Sequence, residues 1–165
     1  MRALDLNFIN AHSDYQVWLS PNGKYLFKTD YSILYAMDFE LDYNPHFTAY
    51  WFNLTNLDQQ PSPNDRKIAQ TVVCIIEEFF RQNPNILLYM CSTEGGKQAQ
   101  RARLFLRWFN GAEQQKHYVA RSVEVRGEGK RLEYVALIVQ RSNPQLAEIL
   151  DIFDEETAMF NELKP

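Results

Sequence analysis

An α+β fold is predicted from three features of the chain. Some segments alternate apolar and polar residues at the period of a strand, longer ones repeat apolar residues at helical spacing behind capping residues, and two β-rich runs are joined through a pair of glycines. In order along the 165 residues these give βββαβαββα in a single domain, a mixed or antiparallel sheet with three helices. A composition of 45% hydrophobic residues with 11 Phe, 9 Tyr and 3 Trp against 6 Gly and 7 Pro excludes a disordered or low-complexity chain.

Leu4, Leu6, Phe8 and Ile9 suit either a strand or a short helix. Lys24 to Thr29 reads as a short strand, and Tyr31 to Leu41 sets Ile33, Tyr35, Met37, Phe39 and Leu41 against Ser32, Ala36, Asp38 and Glu40, with Leu34 as the exception. Asp42, Asn44 and Pro45 turn the chain into a third strand, His46 to Leu54. Ser62-Pro63-Asn64-Asp65 then starts a helix, with Ser62 as cap and Pro63 at the first position, running to about Gln82, where Asn83-Pro84 stops it. Ile68, Val72, Ile75, Ile76 and Phe79 mark its buried face, widened by Val73 and Phe80.

The unbroken apolar run Ile86 to Cys91 is the pattern of a central strand covered on both sides. A helix from about Lys97 to Asn110 follows, ended by Gly111, and then a hairpin of Tyr118 to Val125 and Leu132 to Gln140 through Gly127 and Gly129. The last helix takes Asn143 as cap and Pro144 as its first residue and carries the stripe Leu146, Ile149, Leu150, Phe153 and Phe160 under an acidic outer face.

Two cysteines, Cys74 and Cys91, with no CxxC spacing fit a reducing compartment, and no apolar run approaches the roughly 20 residues of a membrane helix. The expectation is a cytoplasmic protein with no membrane partner. Net charge is −4, distributed as −5 over residues 1–65, +6 over 66–141 and −5 over 142–165. These blocks neutralise one another on folding or leave a basic face of Arg103, Arg107, Arg121, Arg126, Lys130 and Arg131 for nucleic acid; Glu124, Glu128 and Glu133 between them weigh against the second.

No catalytic set and no metal site is expected. Asp38, Glu40 and Asp42 share one face of a strand, where hard cations could be held, but the solvent face of an amphipathic strand explains them as well. The acid and E-x-K signature of restriction-type nucleases is absent, since the next strand reads Ala49-Tyr50-Trp51-Phe52-Asn53. His12, His46 and His117 are scattered, and Cys91 reads as an inert buried thiol.

The loop Ser92-Thr93-Glu94-Gly95-Gly96-Lys97 joins a central strand to a helix, where backbone N–H groups attract anions, yet it lacks the P-loop pattern. On the following helix Arg103 and Arg107 are an i, i+4 pair on the polar face, while Arg101 falls between Trp108 and Phe105 inside the apolar arc. A guanidinium so placed must stack on a ring, pair with a carboxylate such as Glu77, Glu78 or Glu94, or meet an anionic ligand. Ser92, Thr93, Lys97, Arg101, Arg103 and Arg107 are therefore the candidate anion-binding residues.

Four stretches, Tyr50 to Asn56, Val72 to Phe80, Leu88 to Cys91 and Arg101 to Phe109, resemble a family of small uncharacterised bacterial proteins, from about Tyr43 to the C-terminus. That resemblance implies a cytoplasmic bacterial protein and supplies no catalytic residue.

Two functions follow as expectations. The first is a non-enzymatic binding or regulatory module acting through a protein or nucleic-acid partner; the second is an enzyme or sensor for a small phosphorylated ligand at Ser92 to Arg107. No cofactor is expected. A homodimer is expected if part of the last helix's stripe stays exposed, and a monomer if the stripe docks on its own sheet.

Overall fold

The computed structural model describes residues 1–61, 63–92, 107, 109, 111–126 and 132–163, with the backbone alone at 91–92, 112, 125–126, 132–133 and 159–163. Its elements are α1 (Leu6–His12), β1 (Val17–Leu19), β2 (Tyr25–Lys28), β3 (Leu34–Asp42), β4 (Ala49–Asn56), α2 (Arg66–Gln82), β5 (Ile86–Ser92), α3 (Ala112–Gln115), β6 (Tyr118–Arg126), β7 (Leu132–Gln140) and α4 (Leu146–Leu163). The fold is α+β. Among the described residues seven strands join in the order β1-β2-β3-β4-β5-β7-β6, a mixed sheet in which β4 and β5 run parallel across the α2 connection. The pairs β1/β2, β2/β3, β5/β7 and β6/β7 are antiparallel.

The expected order lacks α1, β1 and α3, all three of them short. Asp5 resolves the ambiguity of the first residues: its carboxylate accepts the N–H groups of Asn7 and Phe8 and so caps α1. Gly111, expected to end the helix of residues 97–110, is the residue that precedes the single turn α3. The cap of α2 is Asp65, which accepts the Lys67 N–H at 2.9 Å, so the helix begins three residues after Pro63. Likewise Asn143 Oδ1 accepts the Gln145 N–H at 2.9 Å, and α4 begins at Leu146. The expected helix of residues 97–110 lies outside the described residues except for Arg107, which is exposed, and Phe109, which is buried.

Strict alternation along β3 fails at two places. Ala36 is buried although it opposes Tyr35 and Met37, and Leu41 is exposed. Tyr31 to Ile33 belong to the turn before the strand, closed by a Ser32 N–H donating to the Thr29 carbonyl at 2.9 Å.

Two compact units make up the chain, residues 1–40 with 52–84 and residues 41–51 with 85–165. In the first, α2 is buried over most of its circumference, including Thr71 and Glu78. Its polar side chains are satisfied largely by the backbone of the N-terminal segment. Glu78 accepts the Asp5 N–H at 2.9 Å and Arg81 Nε at 2.6 Å, while the Arg81 guanidinium covers the Phe8 ring. Gln70 takes the Asp14 N–H and donates to the His12 carbonyl, both at 2.7 Å. The side chain of Asn83, the residue that ends α2, accepts the Arg2 N–H at 2.8 Å.

Asn10 does the same for β1, accepting the Val17 N–H at 2.7 Å and donating to the Val17 carbonyl at 2.9 Å. Between these polar ties the aromatic rings pack, Phe27 on Tyr35 at 5.4 Å and Phe39 on Phe79 at 5.0 Å.

In the second unit β5 is covered on both faces over Ile86, Leu87 and Leu88, but the cover expected along the whole run Ile86 to Cys91 fails at Met90, which is exposed. Ile149 and Phe153 of α4 are buried with Ile86, Leu88, Val135, Leu137 and Val139, and Leu146 and Leu150 pack on the same cluster. The stripe therefore docks on its own sheet, fully at Ile149 and Phe153 and in part at Leu146 and Leu150, while the side chain of Phe160 lies outside the described residues. Its acids meet the hairpin as that docking implies: Arg121 Nη1 lies 2.6 Å from Asp154 Oδ2. A Phe153→Ala substitution removes a ring from this cluster and is expected to lower the unfolding free energy by about 3 kcal/mol. Urea denaturation measures the loss, and light scattering should show the same mass before and after.

Candidate functional site

The residues first singled out for anion binding are only partly described. Thr93, Lys97, Arg101 and Arg103 lie outside the described residues, as do Phe105, Trp108 and Glu94, the expected neighbours of Arg101. Ser92 ends β5, with its backbone alone described. Arg107 points to solvent, and Phe109 sits edge-on to Tyr118 at 5.8 Å. Glu78, one of the carboxylates considered as a partner for Arg101, is taken up by Arg81.

The three acids of β3 form no metal site. Asp38 accepts from Asn53 Nδ2 at 2.8 Å and faces Lys24, Asp42 accepts from Trp51 Nε1 at 3.0 Å, and Glu40 is exposed. Among the described residues no group of three or more His, Cys, Asp or Glu could hold a metal ion.

A cleft of about 630 Å³ lies instead between two turns of the first unit. One wall is the β2–β3 turn with Tyr31, Ser32 and Ile33; the other is the β4–α2 connection with Asp58, Gln60, Pro61 and Pro63. The first wall is a tight hairpin loop. Thr29 and Ile33 are bonded through the Thr29 N–H, the Thr29 hydroxyl accepts the N–H groups of Tyr31 and Ile33, and Ser32 has φ +61°. In the second wall Asn56 accepts the Asp58 N–H and donates to the Gln60 carbonyl, which forces Gln59 to φ +52°. Both walls thus hold a non-glycine residue in the left-handed region, at a cost of roughly 1 kcal/mol each.

What keeps that strain in place is a set of bonds from wall to wall. The Leu34 N–H donates to Asp58 Oδ2 at 2.8 Å and the Leu57 N–H to the Leu34 carbonyl at 2.9 Å. The Tyr15 hydroxyl donates to Asp65 and accepts the Asp30 N–H at 3.2 Å, and Lys67 reaches Asp30 at 2.8 Å while lying over the Tyr15 ring. One phenol therefore joins the turn of the first wall to the helix cap behind the second. Burial pushes the Tyr15 phenol up to about 12, opposed by the Asp30 N–H and reinforced by Asp65.

None of these residues carried a catalytic or ligand signature in the sequence. The Pro61-x-Pro63 spacing and the Asn56-x-Asp58 turn pattern were the available local signals. The Tyr15 tie had none, because it joins positions 15 and 50 residues apart.

Replacing Ser32 by glycine removes the left-handed penalty and is expected to stabilise the fold by about 0.5 kcal/mol after the added entropy of the unfolded chain is counted. Tyr15→Phe should cost about 1 to 2 kcal/mol, since it deprives Asp65 and the Asp30 N–H of a partner. Alkaline stability gives a separate test. Burial also pushes the Cys74 thiol from 9.0 up to about 11, and the Tyr15 phenol rises from 10.0 to about 12. The unfolded chain sheds both protons first, so their stabilising contribution is full below about pH 9 and is lost as pH rises to about 12. Urea midpoints measured across that window should fall, and less steeply between about pH 10 and 12 in Tyr15→Phe than in the parent.

Among the described residues no helix is long and apolar enough to cross a membrane. No curated protein and no solved structure matches the chain. Three of the four stretches that suggested a family, Val72 to Phe80, Leu88 to Cys91 and Arg101 to Phe109, fall within residues 64–155, whereas Tyr50 to Asn56 precedes them. Over residues 64–155 a family model matches, and the chain belongs to that family of unknown function, DUF6169.

Proposed function

We propose that the chain is a non-enzymatic binding module that works through a protein partner, engaged at the cleft between the β2–β3 turn and the β4–α2 connection. The observation that supports this is the pairing of strain with exposure. Two left-handed residues hold the walls, and the Tyr31 ring between them is 57% exposed. Strain maintained by bonds from distant elements pre-shapes a surface before any partner arrives, which lowers the ordering cost of binding.

Charge favours a protein over nucleic acid. Of the basic face set out for nucleic acid, Arg121 is paired with Asp154, and Lys24, Lys67, Arg81 and Lys116 elsewhere also lie in ion pairs, which reduces the positive field available to phosphates. A second reading, a phosphorylated ligand at the Ser92 to Arg107 segment, draws on the end of β5 at Ser92 and the exposure of Arg107.

Affinity purification of the tagged chain beside a Tyr31→Ala/Pro61→Ala variant tests the proposal. Both substituted residues are exposed, so the far-ultraviolet circular dichroism should not change. The expected result is a protein retained by the parent and lost from the variant. Equal retention by both removes the cleft from the interaction, and a thermal-shift response to nucleotides that Arg107→Ala abolishes favours the second reading.

A further inference from the structure

We infer that Asn22 is a site of self-modification, where attack by the Gly23 backbone nitrogen converts the side-chain amide into aspartate and isoaspartate. The inference goes beyond the partner reading and is independent of it. Both residues are exposed in the turn between β1 and β2. There the Ser20 N–H donates to the Lys24 carbonyl at 2.8 Å and the Gly23 N–H to the Ser20 carbonyl at 3.0 Å. Ser20 Oγ accepts the Lys24 N–H at 3.0 Å and donates to Asn22 Oδ1. That last bond draws electrons away from the amide carbon that the nitrogen must reach. Asn22 Nδ2, the departing group, donates to nothing among the described residues. Gly23 has φ +83°, and the position a Cβ would take there has no atom within 4 Å, so neither a side chain of its own nor a neighbour obstructs the approach.

The step needs water and no oxidant or cofactor. Local opening of the exposed turn frees the Gly23 N–H from the Ser20 carbonyl. The nitrogen then gives its proton to water and bonds to Asn22 Cγ, and the Cγ–Nδ2 bond breaks to release ammonia. Water opens the resulting cyclic imide at either carbonyl, giving aspartate or isoaspartate, and the second of these lengthens the main chain. Net charge passes from −4 to −5 as a neutral amide becomes a carboxylate. No other asparagine whose side chain is described combines these conditions. Asn10, Asn53, Asn56 and Asn83 each donate Nδ2 to another group. Asn44 and Asn143 precede prolines, which have no N–H to give up, and Asn7, Asn64 and Asn85 precede Phe8, Asp65 and Ile86, whose side chains crowd the nitrogen. Asn110-Gly111 repeats the dipeptide, with Asn110 outside the described residues.

The test incubates the full chain at mildly alkaline pH beside the free peptide Ser-Pro-Asn-Gly-Lys and reads digests by mass-spectrometric fragmentation that distinguishes isoaspartate from aspartate. The expected result is an acid at position 22, mostly isoaspartate, formed at least about tenfold faster than acid at Asn7 or Asn10. Gly23→Ala should slow the reaction by about tenfold, because a methyl group then flanks the attacking nitrogen. Asn22→Gln leaves Gly23 and its φ untouched and should remove the acid at position 22 while the circular dichroism stays that of the parent. Asn22 still intact once the free peptide has converted, or conversion at Asn110 alone, overturns the assignment. Aspartate without isoaspartate would mean direct hydrolysis by water and overturn the cyclisation, as would Gly23→Ala reacting at the parental rate.

Discussion

The first unit depends on the burial of a helix that is not wholly apolar. Helix α2 is covered on so much of its surface that Thr71 and Glu78 are withdrawn from water, as is Asn83 at its end, and each must find a partner inside the protein. No buried side-chain nitrogen or oxygen among the described residues lacks one. Residues 1–15 supply most of those partners through backbone groups, so the helix can be buried only while the N-terminal segment lies against it. Glu78 shows how tightly the two are coupled: Arg81 balances its charge, and the Asp5 N–H fixes the carboxylate where α1 begins. Losing one member would strand a charge in the interior, which costs far more than the pair contributes in isolation.

The same coupling extends to the cleft. Tyr15 continues the N-terminal segment, its N–H bonded to Thr71 of α2 and its hydroxyl shared between the two walls. Helix burial, N-terminal order and cleft shape are therefore one cooperative arrangement. Such coupling gives two surface turns a conformation that their own residues do not favour, and it allows Tyr31 to remain at the surface without a compensating contact in the core.

Legibility in the sequence followed the range of the forces involved. Helix α2, strand β5, the β6–β7 hairpin and α4 were readable because their apolar periods record burial directly: Val72 to Phe80, Ile86 to Leu88 and the Leu146 to Phe153 stripe are buried or half-buried as spaced. Element α1 and strand β1 were not, since Asn10, Gln70 and Asn83 hold them by bonds between side chain and backbone, and amides leave no periodic mark. The start of α2 went to Asp65 because its carboxylate is held from behind by Tyr15, a contact 50 residues away that local capping rules do not see. The cleft was hidden for a similar reason. Ser32 and Gln59 occupy left-handed conformations where glycine or asparagine would have announced them.

Asn10 has a further consequence for how this sheet can grow. At Val17 its amide satisfies both backbone groups that an added strand would use, so β1 is closed at that position although it stands at one end of the strand order. Strand exchange or fibril formation from this side must first withdraw a side chain that belongs to α1. Templating on β1 at Val17 thus competes with two hydrogen bonds already made, and the guard at that position lasts while α1 holds Asn10 in place.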